Sequence, residues 1–196
     1  MTSVEPGPDG RPRCWWSLGG PEYIEYHDRE WGRPSHDEVH LFEMLTLEAF
    51  QSGLSWITIL RKREGFRRAF DEWDVDRIAA YGDSDRDRLL GDASIVRNRA
   101  KIDATIRNAG AVRELRAEGV TLGELLWQFA PARSGAAPAS GDDLASVTPE
   151  STAMAKELKR RGFAFVGPTV AYALMEAVGI VNDHLEGCAF RRLPAE

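Results

Sequence analysis

The sequence predicts an all-α fold, and three observations carry that prediction. Helix-start signatures recur along the chain, from Ser35 with Glu38 to Thr121 with Glu124 and Thr148 before Pro149. Between them apolar residues return at spacings of three and four, the period of a helix with one buried face. No stretch alternates apolar and polar residues over more than a few positions, and no Asn-Gly pair marks a hairpin.

Each element follows from local chemistry. Residues 1–13, rich in Pro, Gly and charge, read as a flexible N-terminal tail. Ser35 and Glu38 have capping-box spacing and open a helix through Val39, Leu41, Phe42, Met44, Leu45 and Leu47, which Gly53 breaks. Ser55 caps the next helix, "WITILRKREGFRRAF", and Asp74 and Ser84 cap two short ones. Ile95, Ile102, Ile106, Val112 and Leu115 suit one long amphipathic helix ending before Gly119; Thr121 with Glu124 opens "LGELLWQF". Residues 130–147 form a flexible small-residue loop, read as an insertion without a role of its own. Thr148 and Pro149 start a helix that Gly162 stops, and Pro168 starts another ending near Gly179. Residues 191–196 are a C-terminal tail, so 14–190 make one domain.

With 196 residues, 43% apolar and 29% charged, the chain can bury a full core. It has no apolar run of eighteen residues, and "MTSVEPGPDGRPR" lacks a signal-like apolar stretch. The expectation is a cytoplasmic monomer with no membrane contact, whose two cysteines are reduced, ligating or inert. The net charge of −6 argues weakly against a nucleic-acid partner, but basic clusters at 61–68, 97–101 and 156–161 can build a positive face.

Three constellations carry chemistry. Cys14, His27, His184 and Cys188 are the complete donor set of a closed tetrahedral zinc site, which would clip the chain ends together. On a helix, His184 and Cys188 would share a face. The alternative is two buried thiols and two unrelated histidines. "RRGFAFVGPT" joins two helices through a Gly-bounded turn, with Gly162, Gly167 and Thr169 placed to present backbone N–H groups to a DNA phosphate; a plain antiparallel helix pair is the other reading. Glu48 stands in an apolar helical stretch, where a carboxylate is costly unless paired. Trp56 follows the break at Gly53, and Trp15, Trp16, Tyr23, Tyr26 and Trp31 cluster upstream. One acid among aromatic rings suits a flat, electron-poor heterocycle; a Trp-rich core beside a solvent-facing Glu is the alternative. Leu54, in "SGLSW", is either a wedge entering a DNA stack or a core leucine.

The assembly "CWW…YIEYHDREWG…LFEMLTLEAFQSGLSWITILRKRE…DASIVRNRAKI…KELKRRGFAFVGPTVAYALMEAVGIVNDHLEGC" closely resembles the 3-methyladenine DNA glycosylase I family, nearly continuously from Cys14 to Cys188. The resemblance implies a helix-hairpin-helix DNA glycosylase fold, with the hairpin unit over about 148–179. It implies hydrolysis of the N-glycosidic bond of 3-methyladenine in double-stranded DNA carrying alkylated purines, leaving an abasic site, with 3-methylguanine the other candidate lesion. Glu48 and Tyr26 are then the catalytic positions, and Trp16, Tyr23 and Trp56 the base-binding ones. Gly53, Leu54, Gly162, Gly167 and Thr169 contact DNA. A structural zinc joins the termini through Cys14, His27, His184 and Cys188. Ala49 departs from the Gly often found after the glutamate and slightly narrows that surface. Asp183 reads as a neighbour of His184 that supports the zinc ligand rather than as a catalytic acid. A zinc hydrolase would need an exchangeable metal position, and a non-catalytic DNA binder would have no use for a base-sized aromatic pocket.

Overall fold

Asp37, Asp74, Asn98, Thr121 and Thr148 each turn a side-chain oxygen onto backbone N–H groups of the following turn, and a helix starts at each. The computed structural model describes residues 3–132 and 136–191. Among them the helices are α1 (Pro21–Arg29), α2 (Glu38–Gln51), α3 (Trp56–Ala69), α4 (Val75–Ala79), α5 (Asp83–Gly91), α6 (Arg99–Ala117), α7 (Leu122–Trp127), α8 (Pro149–Arg160) and α9 (Pro168–Ala177). The protein is thus mostly helical, as expected.

Three helix starts differ from expectation. Asp37 caps α2 in place of Ser35, whose backbone N–H is donated to Val178 and whose carbonyl accepts from the Trp127 indole. Tertiary bonds at Ser35 override its local capping signal. α5 opens at Asp83 rather than after Ser84, because the Asp85 carboxylate accepts from Gly82 N–H. α6 begins at Arg99; Ile95 lies in an irregular segment before it, buried all the same.

The largest departure is at the N-terminus. The stretch expected as a flexible tail contains strand β1 (Val4–Pro6), paired antiparallel with β2 (Pro12–Cys14), and Gly10 turns between them at φ 78°. Arg13, 2% exposed, fastens this hairpin with bonds to Asp9 at 2.5 Å and Asp28 at 2.7 Å. Met1 and Thr2, Arg133–Gly135 within the small-residue loop, and residues 192–196 lie outside the described residues. The rest of the loop includes a single 3-10 turn at Gly141–Asp143.

α2 is the axis of the molecule. Every residue from Leu41 to Phe50 is buried, so this helix is enclosed on all sides, with α3, α6, α7 and α9 packed around it. Phe50, Phe66, Phe70 and Trp73 build a continuous aromatic core between α2 and α3. Gly179, at φ +73°, closes α9 against the Arg33–Pro34 backbone so tightly that a Cβ there would lie 2.2 Å from the Arg33 carbonyl carbon.

Candidate functional site

A cavity of about 360 Å³ opens where α1, α2, α3 and α9 converge. Tyr23 and Tyr26 enter it from α1, Glu48 and Gln51 from α2, and Trp56 from the first position of α3. Trp15, Trp16 and Trp31 complete the aromatic lining, and Leu144, Ala173 and Glu176 line the remainder. All the expected pocket residues therefore converge.

The rings brace one another. Trp16 meets Trp31 and Tyr23 edge-on, with centroids 4.9 Å and 5.8 Å apart, and Tyr26 lies 5.4 Å from Trp56. The Tyr23 hydroxyl accepts from Ile57 N–H at 3.1 Å, tying α1 to the otherwise unsatisfied start of α3. Trp56 Nε1 is buried without a hydrogen-bond partner, a donor left open beside the cavity.

Glu48 is only 6% exposed and forms no ion pair among the described residues. Burial pushes its carboxyl up to about 8, because a buried charge is costly and the neutral acid is favoured. Burial, with the Glu48 charge adding, likewise holds the Tyr26 hydroxyl well above the ordinary tyrosine range. Two acids were not foreseen. Glu43, one helical turn and a half before Glu48, faces the other side of α2, where Arg63 and Arg67 hold its carboxyl at about 2 against its own desolvation. Glu176 lines the cavity itself.

The turn after α2 is rigidly held. Gly53 takes φ +83°, and Leu54, 38% exposed, projects between the pocket residues Gln51 and Trp56 in sequence. Gln51 Nε2 donates to the Leu54 carbonyl at 3.0 Å. The buried Lys101 ammonium donates to Phe50 and Ser52 carbonyls at 2.8 and 2.7 Å, filling the orphan acceptors at the end of α2.

Residues 161–167 join α8 to α9 and are not among the cavity lining. Gly162 sits at φ +91°, Gly167 and Thr169 are exposed, and Gly167 is extended rather than left-handed. Asn108 on α6 clamps the connection, accepting from Ala164 N–H at 2.8 Å and donating to its carbonyl at 3.2 Å. Phe165 is 45% exposed with φ 57°. The basic clusters are less free than the sequence suggests: Arg61, Arg63 and Arg67 pair with Glu22, Glu30 and Glu43, and Arg160 and Arg161 pair with Glu157.

Behind the aromatic wall, Cys14, His27 and Cys188 bring ligand atoms within 4.8 Å of one another, all buried. His27 Nε2 lies 3.5 Å from Cys188 Sγ, and Leu185 N–H points to Cys14 Sγ at 3.4 Å. His184 stands outside that tightest set, its ring centroid 4.8 Å from that of His27. Its Nε2 is buried with no partner, while its Nδ1 faces Asn182 Oδ1 at 2.9 Å, just as His27 Nδ1 faces Asp28 Oδ1 at 2.9 Å. Burial, with His27 adding, pushes His184 down to about 4 and so keeps it neutral. Two thiols facing two imidazoles, each ring oriented through Nδ1, fit a closed tetrahedral metal site. The His184–Cys188 segment is a turn rather than the helix considered from the sequence, with Gly187 at φ +84°.

Residues 15–192 match the family described as Methyladenine glycosylase. DNA-3-methyladenine glycosylase 1 of Escherichia coli (strain K12) is 44% identical over 177 residues, spanning 90% of this chain and 95% of its own. A crystal structure of 3-methyladenine DNA glycosylase I superposes with a TM-score of 0.87 at 47% identity, covering 90% of this chain and 98% of that one. A single-substitution variant of 3-methyladenine DNA glycosylase I, in complex with 3-methyladenine, superposes with a TM-score of 0.86 at 31% identity over 92% of this chain and 98% of its own.

Proposed function

Because this chain belongs to the methyladenine glycosylase family, we propose that Glu48 and the rings around it hold a purine turned out of the DNA helix. The activity is that of a base-excision repair glycosylase, hydrolysing the N-glycosidic bond of 3-methyladenine in alkylated DNA and leaving an abasic site. The single observation that carries the residue assignment is a buried carboxyl without a cationic partner, set in an aromatic cavity of about 360 Å³.

The chemistry follows from charge. Methylation at N3 makes the nucleoside cationic, so its glycosidic bond is already weakened. When that bond breaks, the electron pair goes to the base and neutralises it; water adds to the sugar carbon and its proton passes to solvent. No strong general acid is needed. Glu48 accepts a hydrogen bond from the amino edge of the base, and the arriving cation draws the carboxyl back to its ionised form. Tyr26, Trp56 and Trp16 stack on the ring, each good cation–π contact contributing about 0.5–2 kcal/mol. Tyr23 acts beside them, fixing the start of α3. An undamaged adenine is neutral and forgoes both terms. 3-Methylguanine carries a carbonyl where adenine has the amino group, so its removal requires Glu48 to donate rather than accept, and we place it second.

Residues 161–167 between α8 and α9 read as the hairpin of a helix-hairpin-helix unit, with Gly167 and Thr169 offering backbone N–H groups to a phosphate of double-stranded DNA and Gly162, whose own N–H donates to the Lys159 carbonyl, turning the chain toward it. Leu54, with Gly53 allowing its turn, enters the gap left by the extruded base. Cys14, His27, His184 and Cys188 would hold a zinc ion whose chemistry is structural, because four protein ligands leave no open position. We read the protein as a cytoplasmic monomer; no helix among the described residues is long and apolar enough to cross a membrane.

The deciding experiment is incubation with methylated DNA and chromatography of the liberated purines. Wild type releases 3-methyladenine, and Glu48→Gln releases it at least 100-fold more slowly while melting no lower than wild type. An unimpaired Glu48→Gln overturns the assignment.

A further inference from the structure

The cavity holds a second acid. Glu176 sits on α9, which packs on α2, and it lines the same cavity as Glu48 and the aromatic rings. No ion pair to Arg, Lys or His is formed by either carboxyl among the described residues. Glu176 is also part of a small polar chain: its neighbour Asp183 accepts from the Tyr172 hydroxyl at 2.5 Å. Burial, with the charges of Asp183 and Glu48 adding, keeps the Glu176 carboxyl well above the ordinary carboxylate range. A core would replace such an unpaired acid with an apolar side chain at little cost. A cavity built for a cation would keep it.

Resting on the reading of the cavity as the base pocket, we propose that Glu176 is a second specificity-determining residue, which with Glu48 makes the pocket selective for positively charged purines rather than for purines in general. Glu48 is then the hydrogen-bonding partner of the base edge. Glu176 contributes its charge from α9 and needs no directed bond to do so. Two ionised acids lining one cavity repel each other, and a neutral base offers neither of them a countercharge, so it gains nothing from the pair. A fixed cation between them relieves that repulsion.

The test compares 3,9-dimethyladeninium, a permanent cation, with neutral 9-methyladenine, by quenching of tryptophan fluorescence. Wild type binds the cation in preference to the neutral base. In Glu176→Gln, cation affinity falls about tenfold, the effect of one charge within about 4–6 Å, and neutral-base affinity is unchanged. A Glu176→Gln protein with the wild-type preference overturns the proposal. Should that variant fail to fold, a crystal structure of wild type with the cation decides. A Glu176 carboxyl oxygen within about 6 Å of the ring supports the role, and one beyond about 10 Å refutes it. Release of 3-methyladenine from methylated DNA by wild type is measured in parallel, so loss of the base-pocket reading is distinguished from loss of the Glu176 role.

Discussion

Tyr26 and His27 occupy successive positions of α1 and face different sites: the phenol ring packs 5.4 Å from Trp56 in the cavity, and His27 Nε2 lies 3.5 Å from Cys188 Sγ. One helical step thus joins the cysteine–histidine cluster to the pocket wall. Rotation of α1 by loss of one site must move the other.

Metal content follows from that coupling. The protein should carry one equivalent of zinc by atomic spectroscopy, and a clip across nearly the whole chain contributes roughly 5 kcal/mol if it acts as a crosslink. Chelation should lower the melting temperature and slow excision together. A chelated, metal-free protein with unchanged melting would refute the structural role.

Glu48 sets a pH dependence of stability. Its carboxyl titrates at about 8 when folded, against about 4.3 in an unfolded chain. Between those values the folded state retains a proton that the unfolded state has lost, so stability is greatest at the acidic end of the window and declines as pH rises toward 8. Each unit costs up to about 1.4 kcal/mol. Glu48→Gln removes this slope, so urea unfolding should find the variant more stable than wild type at pH 8 and the gap smaller at pH 6. A gap that does not change with pH would contradict the buried-acid assignment.

Arg63 donates to Glu30 at 2.7 Å and to Glu43 at 2.9 Å, both in poorly exposed positions. Arg63→Met should destabilise by about 1–3 kcal/mol, because Glu43 then keeps Arg67 as its one guanidinium partner and Glu30 loses its own. Urea denaturation measures this, and a loss below 1 kcal/mol would show that Arg67 alone satisfies the acid.

Asn108→Ala removes both bonds to Ala164 and should cost about 1–3 kcal/mol. If residues 161–167 grip DNA, affinity for duplex DNA falls while binding of free 3-methyladenine is kept. Equal losses for both ligands would place the effect in the pocket instead.

Most helices were legible because their caps are local: Thr121 with Glu124 and Thr148 before Pro149 need no tertiary information. Ser35 misled because Val178 and Trp127, far along the chain, claim its backbone. The N-terminal hairpin did leave a signal, the Asp9-Gly10 pair, which is a turn former as strong as Asn-Gly. In the pocket, Glu48 stood out as a lone acid in an apolar run, whereas Glu176 lies in "LMEAVG" near a helix end, where an acid reads as solvent-facing. Only the packing of α9 on α2 turns it inward. Asn108 and Lys101 escaped for the same reason: their partners are backbone atoms, which carry no residue-type signature.

Lys101 also fixes what the chain can tolerate. With its ammonium spanning the Phe50 and Ser52 carbonyls, the stretch from Phe50 to Ser52 has a set length. One inserted residue would lift those acceptors away and leave a buried positive charge with nothing to neutralise it. Attempts to widen the enzyme's substrate range by lengthening this turn should therefore yield insoluble protein, and diversification belongs elsewhere on the lining, around Leu144.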